Sequence, residues 1–351
     1  MHFIQGLTFD DVLLIPNYNG IRSRQDVTTA INMVSKRLDI PVISSNMDTI
    51  TGIKMANCLA SLGGLGILHR FMSIEQNIEE FCQAENKSLV GVSIGVGDAA
   101  LERAEGLIAA GAEIICVDVA HGHAKLVNQT IKNLRKKYKG NIVIIAGNVA
   151  TYAGADYLAA AGADVIKVGI GGGSVCTTRI KTGFGVPQLT AIMMCRQVDR
   201  ALIADGGIRT PGDAVKALAA GADFVMLGGM LAATLETPGE VKTTVQDGKE
   251  AKFKVFRGMA SREAQEDFMG SMGEWKTAEG VAVEVPLRGS AVEVIRDVMG
   301  GIRSGMTYCG AVTIKDLQRK AQFMTITPAG ARESAPHATE KFASASNGKK
   351  E

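Results

Sequence analysis

Residues 141–171 read NIVIIAGNVATYAGADYLAAAGADVIKVGIG, and the alternation inside this stretch decides the fold. An apolar run at 141–148 ends in a polar residue, an alanine-rich segment at 152–162 has the length of a helix, and a second apolar run fills 165–171. Gly162 ends the helix and the strand resumes within three residues, as a tight helix-to-strand loop requires. The same AAGAD, here at 160–164, returns at 219–223. Working outward, apolar runs stand at 41–47, 65–70, 89–95, 114–120, 201–207 and 224–229. Helical segments lie near 52–62, 74–84, 98–110, 124–138, 187–199 and 211–220. Near-continuous apolar strands alternating with helices imply a parallel sheet covered on both faces, and eight such units are the count of a closed (β/α)8 barrel. A last helix near 291–304 follows an interruption at about 230–290 that is too long for a routine loop. That interruption reads as an active-site flap on the C-terminal face. Barrel and flap account for residues 1–331. From 332 the chain is rich in Ala, Ser, Lys and Glu and lacks periodicity, which implies a tail, disordered over its last dozen residues.

With 351 residues, 46% hydrophobic content and 41 glycines, the chain has the size of one α/β barrel with insertions. Charge is balanced at 38 basic against 36 acidic residues, and no basic run is interleaved with aromatics, so nucleic acid is not implied as a partner. The six cysteines show no CxxC pair and no histidine at ligand spacing, which argues against a zinc site or a disulfide framework and for a reducing compartment. The first residues, MHFIQGLTFDDVLLIP, do not form a signal peptide. No stretch approaches the ~18 apolar residues of a membrane span, so a cytoplasmic location is expected.

The run at 165–171 opens into GGGSVCTTRIKTGFG, which presents one thiol, Cys176, between hydroxyl residues on a glycine-rich loop. Cys58, Cys116 and Cys195 stand in apolar surroundings and read as small buried hydrophobes. The polar setting of Cys176 beside Arg179 is instead one that lowers a thiol pKa and exposes a nucleophile. Asp48, Asp118, Asn148, the Cys176 loop, Asp205-Gly206-Gly207 and Gly228-Gly229 all fall at strand C-terminal ends, the face where barrel enzymes keep their sites. The two glycine pairs close the seventh and eighth strands, the usual place for a phosphate held by backbone amides, and Ser174 lies nearby.

These residues resemble the IMP dehydrogenase and GMP reductase family. The matching segments are LTFDDVLLIP (7–16), SSNMDT (44–49), AGNVAT (146–151), KVGIGGGSVCTTR (167–179), ADGGIRTPGDAVKALAAGADFVMLGGM (204–230), FRGMAS (256–261) and GGIRSGMTYCGA (300–311). The resemblance implies a barrel that binds a purine nucleoside monophosphate, usually as a homotetramer, with Cys176 attacking C2 of the base and hydride exchanged with a nicotinamide cofactor. The stretch from Gly258 to Gly280, GMASREAQEDFMGSMGEWKTAEG, is short and has no tyrosine, whereas dehydrogenase flaps carry an Arg-Tyr pair that activates water. It is similar to the reductase flap, and no regulatory module separates the second and third strands. By this resemblance Thr178 and Glu279 form the proton-transfer dyad of a GMP reductase using NADPH. Ser174, Asp205, Gly206, Gly207, Gly228, Gly229, Gly258, Met259, Ala260, Lys276 and Gly280 would contact the nucleotide. Ser23, Arg24, Arg70, Asp118 and Asn148 would contact the cofactor, and the carbonyls of Gly171, Gly173 and Cys176 would hold potassium. Lys276, Ala260 and Gly172 stand where arginine, serine and proline are usual. AHGH (120–123), GGIRSGMTYCGA and ITPAGARESAPH (326–337) look more like the dehydrogenase, which stays the alternative, with a non-catalytic nucleotide-binding barrel behind it.

Overall fold

The computed structural model describes residues 3–246 and 249–336, and eight parallel strands in it close into the expected barrel. They are β1 (Val42–Ser44), β2 (Leu65–Leu68), β3 (Val90–Ile94), β4 (Ile114–Asp118), β5 (Val143–Val149), β6 (Val165–Val168), β7 (Ala201–Asp205) and β8 (Phe224–Leu227). Val225 of β8 pairs with Val42 of β1, which completes the ring. The expected helices are present, from Ile53–Ser61 to Pro211–Ala220, and the last one, Ala291–Tyr308, packs beside Pro211–Ala220.

Strand side chains alternate between the barrel interior and the helical layer, because successive Cβ atoms leave opposite faces. Ile115, Val117, Ile144, Ala146, Ile166, Leu202 and Ala204 therefore pack outward against the helices. Ile114, Cys116, Val143, Ile145, Val165, Ile203, Phe224 and Met226 point inward and form a second apolar cluster. Met33 and Leu38 join that cluster, both fully buried, from a hairpin pairing Ile31–Met33 with Lys36–Leu38. The hairpin stoppers the N-terminal mouth of the barrel. Burying each such large side chain contributes roughly 1.5–3 kcal/mol.

Two residues further along the same inward-facing rows, the chemistry changes. Asp118 follows Cys116, Lys167 follows Val165, and Asp205 follows Ile203. Gly147 on β5 makes room there, since a Cβ at that position would meet the Lys167 Cβ at 2.6 Å. Helix starts behind the same rim are fixed locally. After the DGGI turn, Thr210 accepts the Asp213 amide, Asp213 accepts the Thr210 amide at 3.0 Å, and Pro211 occupies the first helical turn.

The interruption after β8 is not a flap from residue 230. Leu231, Ala232, Ala233 and Thr234 are buried, and the segment leaves the barrel only near residue 240. It then builds a three-stranded antiparallel sheet from Lys242–Gln246, Lys249–Arg257 and Ala282–Pro286, with helix Arg262–Met269 between the last two. Lys254 roots this sheet: it is buried and donates to the Thr237 carbonyl at 2.6 Å and the Thr234 carbonyl at 3.1 Å. Near the two ends of the described chain, Val12–Leu14 pairs antiparallel with Phe323–Thr325. Helix Pro328–Glu333 extends past the residue where the tail was expected to begin, and the last dozen residues lie outside the described ones.

Candidate active site

A cleft of about 340 Å3 opens at the C-terminal mouth of the barrel, lined by the ends of the strands, the 169–178 loop and the flap. Cys176 stands in its wall. The Cys176 amide donates to the Gly173 carbonyl at 3.1 Å, which folds the loop into a tight turn, and the thiol donates to Thr178 Oγ1 at 3.1 Å. Arg179, expected beside the thiol, is turned elsewhere: it packs over Gly171 and Gly185 and donates to the Val186 carbonyl at 2.9 Å. Cys116, by contrast, is sealed in the barrel, where burial pushes its thiol up to about 12 against the opposing pull of Lys167. It is held protonated and inert.

The flap reaches the cysteine loop through its backbone. The Thr177 amide donates to the Glu279 carbonyl at 2.8 Å, the Val281 amide to the Val175 carbonyl at 3.0 Å, and the Glu279 amide to the Ala260 carbonyl at 3.0 Å. Gly280 forms a bridge to Cys176 and another to Ser261. Glu279 is thereby set in the cleft wall with Cys176 and Thr178, half-buried. Gly258, Met259 and Ala260 line the same cleft; Gly280 holds the junction without lining it, and Lys276 is exposed and does not reach it.

Opposite, Ser174, Gly206, Gly207, Gly228 and Gly229 converge. The Ser174 hydroxyl sits so close to Gly229 that a Cβ there would meet it at 2.8 Å. This is the bowl of amides and a hydroxyl that suits a phosphate. Arg70, Asp118, Asn148, Gly171 and Gly173 also line the cleft. Ser23 and Arg24 do not. Ser23 caps a short turn, Arg24–Asp26, whose backbone is held by Arg303 on helix Ala291–Tyr308. His121 and His123 are exposed and outside the cleft, His123 packing on Tyr157 and His121 edge-on to His123.

Two features were not read from the sequence. Lys167, 3% exposed, lies 2.7 Å from Asp118 and 2.9 Å from Asp205, while Asn148 donates to the same Asp205 oxygen at 2.9 Å and to the Gly169 carbonyl at 2.7 Å. Burial alone would raise the Asp118 pKa, and the Lys167 ammonium outweighs it and holds the carboxyl below its ordinary value. Burial likewise works to lower Lys167, and Asp118 and Asp205 more than reverse that, so the ammonium is permanent. A single charge inside an apolar strand was the available signal, since a buried charge demands partners. The second feature is a clasp on the flap: Arg257 joins Asp48 at 2.8 Å to Asp267 on the flap helix, and Phe268 stacks on Phe71 at 4.7 Å.

A barrel of this topology with a nucleophile loop, a phosphate bowl and a covering flap is an enzyme acting on a phosphorylated ligand. Residues 6–337 match the family model described as the IMP dehydrogenase / GMP reductase domain, so the chain belongs to that family. It is therefore an oxidoreductase of purine nucleotides. GMP reductase 2 of Mus musculus is 42% identical over 92% of this chain and 94% of its own. The crystal structure of GMP reductase from Trypanosoma brucei in complex with guanosine 5'-monophosphate is 31% identical with a TM-score of 0.89, covering 95% of this chain and 98% of that one, and a second structure scores 0.84. The lower score belongs to the crystal structure of inosine 5' monophosphate dehydrogenase from Legionella pneumophila, 58% identical over 93% of this chain and all of that one. Among the described residues no helix is long and apolar enough to cross a membrane.

Proposed function

We propose that the protein is a GMP reductase that converts GMP to IMP and ammonia at the expense of NADPH. The observation that carries this reading is the seating of Glu279 on the cysteine loop, beside Cys176 and Thr178, by a flap segment that contains no tyrosine. Cys176 adds to C2 of the purine, and the departing 2-amino nitrogen takes a proton by way of Thr178 and Glu279 and leaves as ammonia. When bound, the nicotinamide supplies the hydride that C2 then accepts, and the thiolate is released as the C2–S bond breaks. Ser174 and the two glycine pairs hold the phosphate, and Asp205 accepts from the ribose hydroxyls. Gly258, Met259 and Ala260 bracket the base, Gly280 ties the flap to the Cys176 loop behind them, and Lys276 would contribute only on movement of the flap.

The cleft fits a nicotinamide cofactor. Arg70 Nε and Asn148 Oδ1 are buried in its wall without protein partners, a donor for a phosphate and an acceptor for a carboxamide. Asp118, held by Lys167 and Asn46 in the cleft wall, would accept from a ribose hydroxyl. Ser23 and Arg24, remote from their own cleft, would serve a cofactor held by a neighbouring copy in a homotetramer. Among the described residues no His, Cys, Asp or Glu cluster could hold a metal. A potassium ion would instead take the carbonyls of Gly171, Gly173 and Cys176; that of Gly173 keeps a second lone pair beyond the one given to the Cys176 amide.

The 58% identity to a chain described as a dehydrogenase favours a second reading, IMP oxidation with NAD+. Absorbance at the NADPH band with GMP, run beside NAD+ reduction with IMP, separates the two. Consumption of NADPH with release of IMP is the expected result, and XMP formation at an ordinary enzyme turnover overturns it.

A further inference from the structure

We propose that Lys167 is a positioning residue that couples the nucleotide and cofactor halves of the cleft through one shared ammonium. The inference rests on the reading above, in which Asp205 meets the nucleotide ribose and Asp118 the cofactor. The two carboxylates stand on different strands: Asp118 ends β4 and Asp205 ends β7, three strands apart around the barrel mouth, and the Lys167 side chain rises between them from β6. Its ammonium donates to both, at 2.7 and 2.9 Å, and it is nearly inaccessible to water.

Three protons on one nitrogen serve two carboxylates, and Asn148 spends its amide on the Asp205 oxygen that Lys167 already contacts. A ligand hydroxyl that draws on one carboxylate weakens its hold on the ammonium, which then moves toward the other. In a site of low dielectric such a displacement is not screened, so the two halves feel each other without touching. Neighbouring Gly147 admits the lysine, and the side chains beneath it, Cys116 and Val165 among them, belong to the apolar inner cluster. Lys167 touches neither the reacting carbon nor the transferred hydride on this account; it sets the geometry and charge of the two acids that hold the reactants.

The test is a cross-effect that a merely structural lysine would not produce. Asp118→Asn removes a charge from the cofactor side only, and the affinity for GMP is then measured by calorimetry with no cofactor present. Coupling through Lys167 predicts a change in GMP affinity of about 5-fold or more, the lower end of ordinary site-to-site coupling. An unchanged GMP affinity in a folded variant overturns the proposal. Lys167→Met should abolish the cross-effect of Asp118→Asn. That variant strips the ammonium from two half-buried acids, Asp205 keeping its bond from Asn148, so the folding of Lys167→Met and of Lys167→Met/Asp118→Asn is checked by thermal melting; the two should then bind GMP equally, and a difference of about 5-fold or more between them overturns the proposal. Should the wild-type enzyme oxidise IMP rather than reduce GMP, the function reading fails, and the same cycle run with IMP still decides the coupling.

Discussion

The barrel interior has two ends built on opposite chemistry from the same eight strands. At the foot, Ile114, Val143, Val165, Ile203 and Phe224 fill the bore with hydrocarbon under a fully buried Met33 and Leu38. At the crown, two to four residues on, the same rows present Asp118, Lys167 and Asp205, with Asn148 beside them. The foot contributes burial and asks nothing of a ligand. The crown gives up burial for buried charge, which is stable only because each charge has a partner. Stability and chemistry are thus separated along the strand axis, and a substitution at one end should leave the other largely intact.

The most damaging test is at the crown. Cys176→Ala should remove turnover entirely while thermal melting and GMP binding stay near wild type, since the phosphate bowl of Ser174 and Gly229 does not involve the thiol. Residual turnover near the wild-type rate would dispose of the covalent step. Glu279→Gln should lower the GMP reaction by about 10²–10⁴-fold, the usual worth of one proton-transfer group, and spare hydride exchange on the inosine side. Loss of both reactions together would mean that the substitution had disturbed the flap instead.

At the foot the pattern should invert. Phe224→Ala empties a fully buried site, and about 3–5 kcal/mol of stability should be lost in urea titrations, with turnover of the remaining folded enzyme little changed. A large fall in turnover at full occupancy of the folded state would break the separation of the two ends.

His69 stands at the crown end of β2 and gives the smallest effect. Burial, opposed by Asp48 and helped by Arg257 and Arg103, lowers its pKa to about 4. The unfolded chain takes up this proton near pH 6.5 and the folded one only near 4, so the unfolded state binds more protons in that window. Stability due to His69 is therefore whole above pH 6.5 and falls away as the pH drops toward 4, by at most about 3 kcal/mol. The urea midpoint of His69→Asn should drop less over that range than that of the wild type. Parallel pH profiles would show that His69 is not held neutral by its surroundings.

Most of the foot was legible in the sequence, because a parallel strand buried on both faces has to be an apolar run, and a Gly-closed helix marks where the next run begins. Cys176, Thr178 and the glycine pairs were legible for a related reason: each is local, a few residues on one loop. Lys167 was not, since its meaning depends on Asp118 and Asp205, carried by other strands, and no local pattern announces such a triple. The flap sheet was missed differently. In Lys249–Arg257 lysines alternate with Phe253, Val255 and Phe256, a half-exposed strand whose charges resemble those of a solvated loop. Ser23 and Arg24 show the limit of reading residues onto one chain, as they are displaced from the cleft that holds Cys176.

The pairing of Val12–Leu14 with Phe323–Thr325 has a consequence for synthesis. The first of these strands leaves the ribosome roughly 15–60 s before its partner at ordinary translation rates, and until then it is an unpaired edge. The seam is also where the sequence could be spliced. With Val12 opposite Thr325, a short linker could join the two strands and the chain could be reopened at the exposed Lys139-Gly140 turn, giving a circular permutant in which this hairpin is made in one piece.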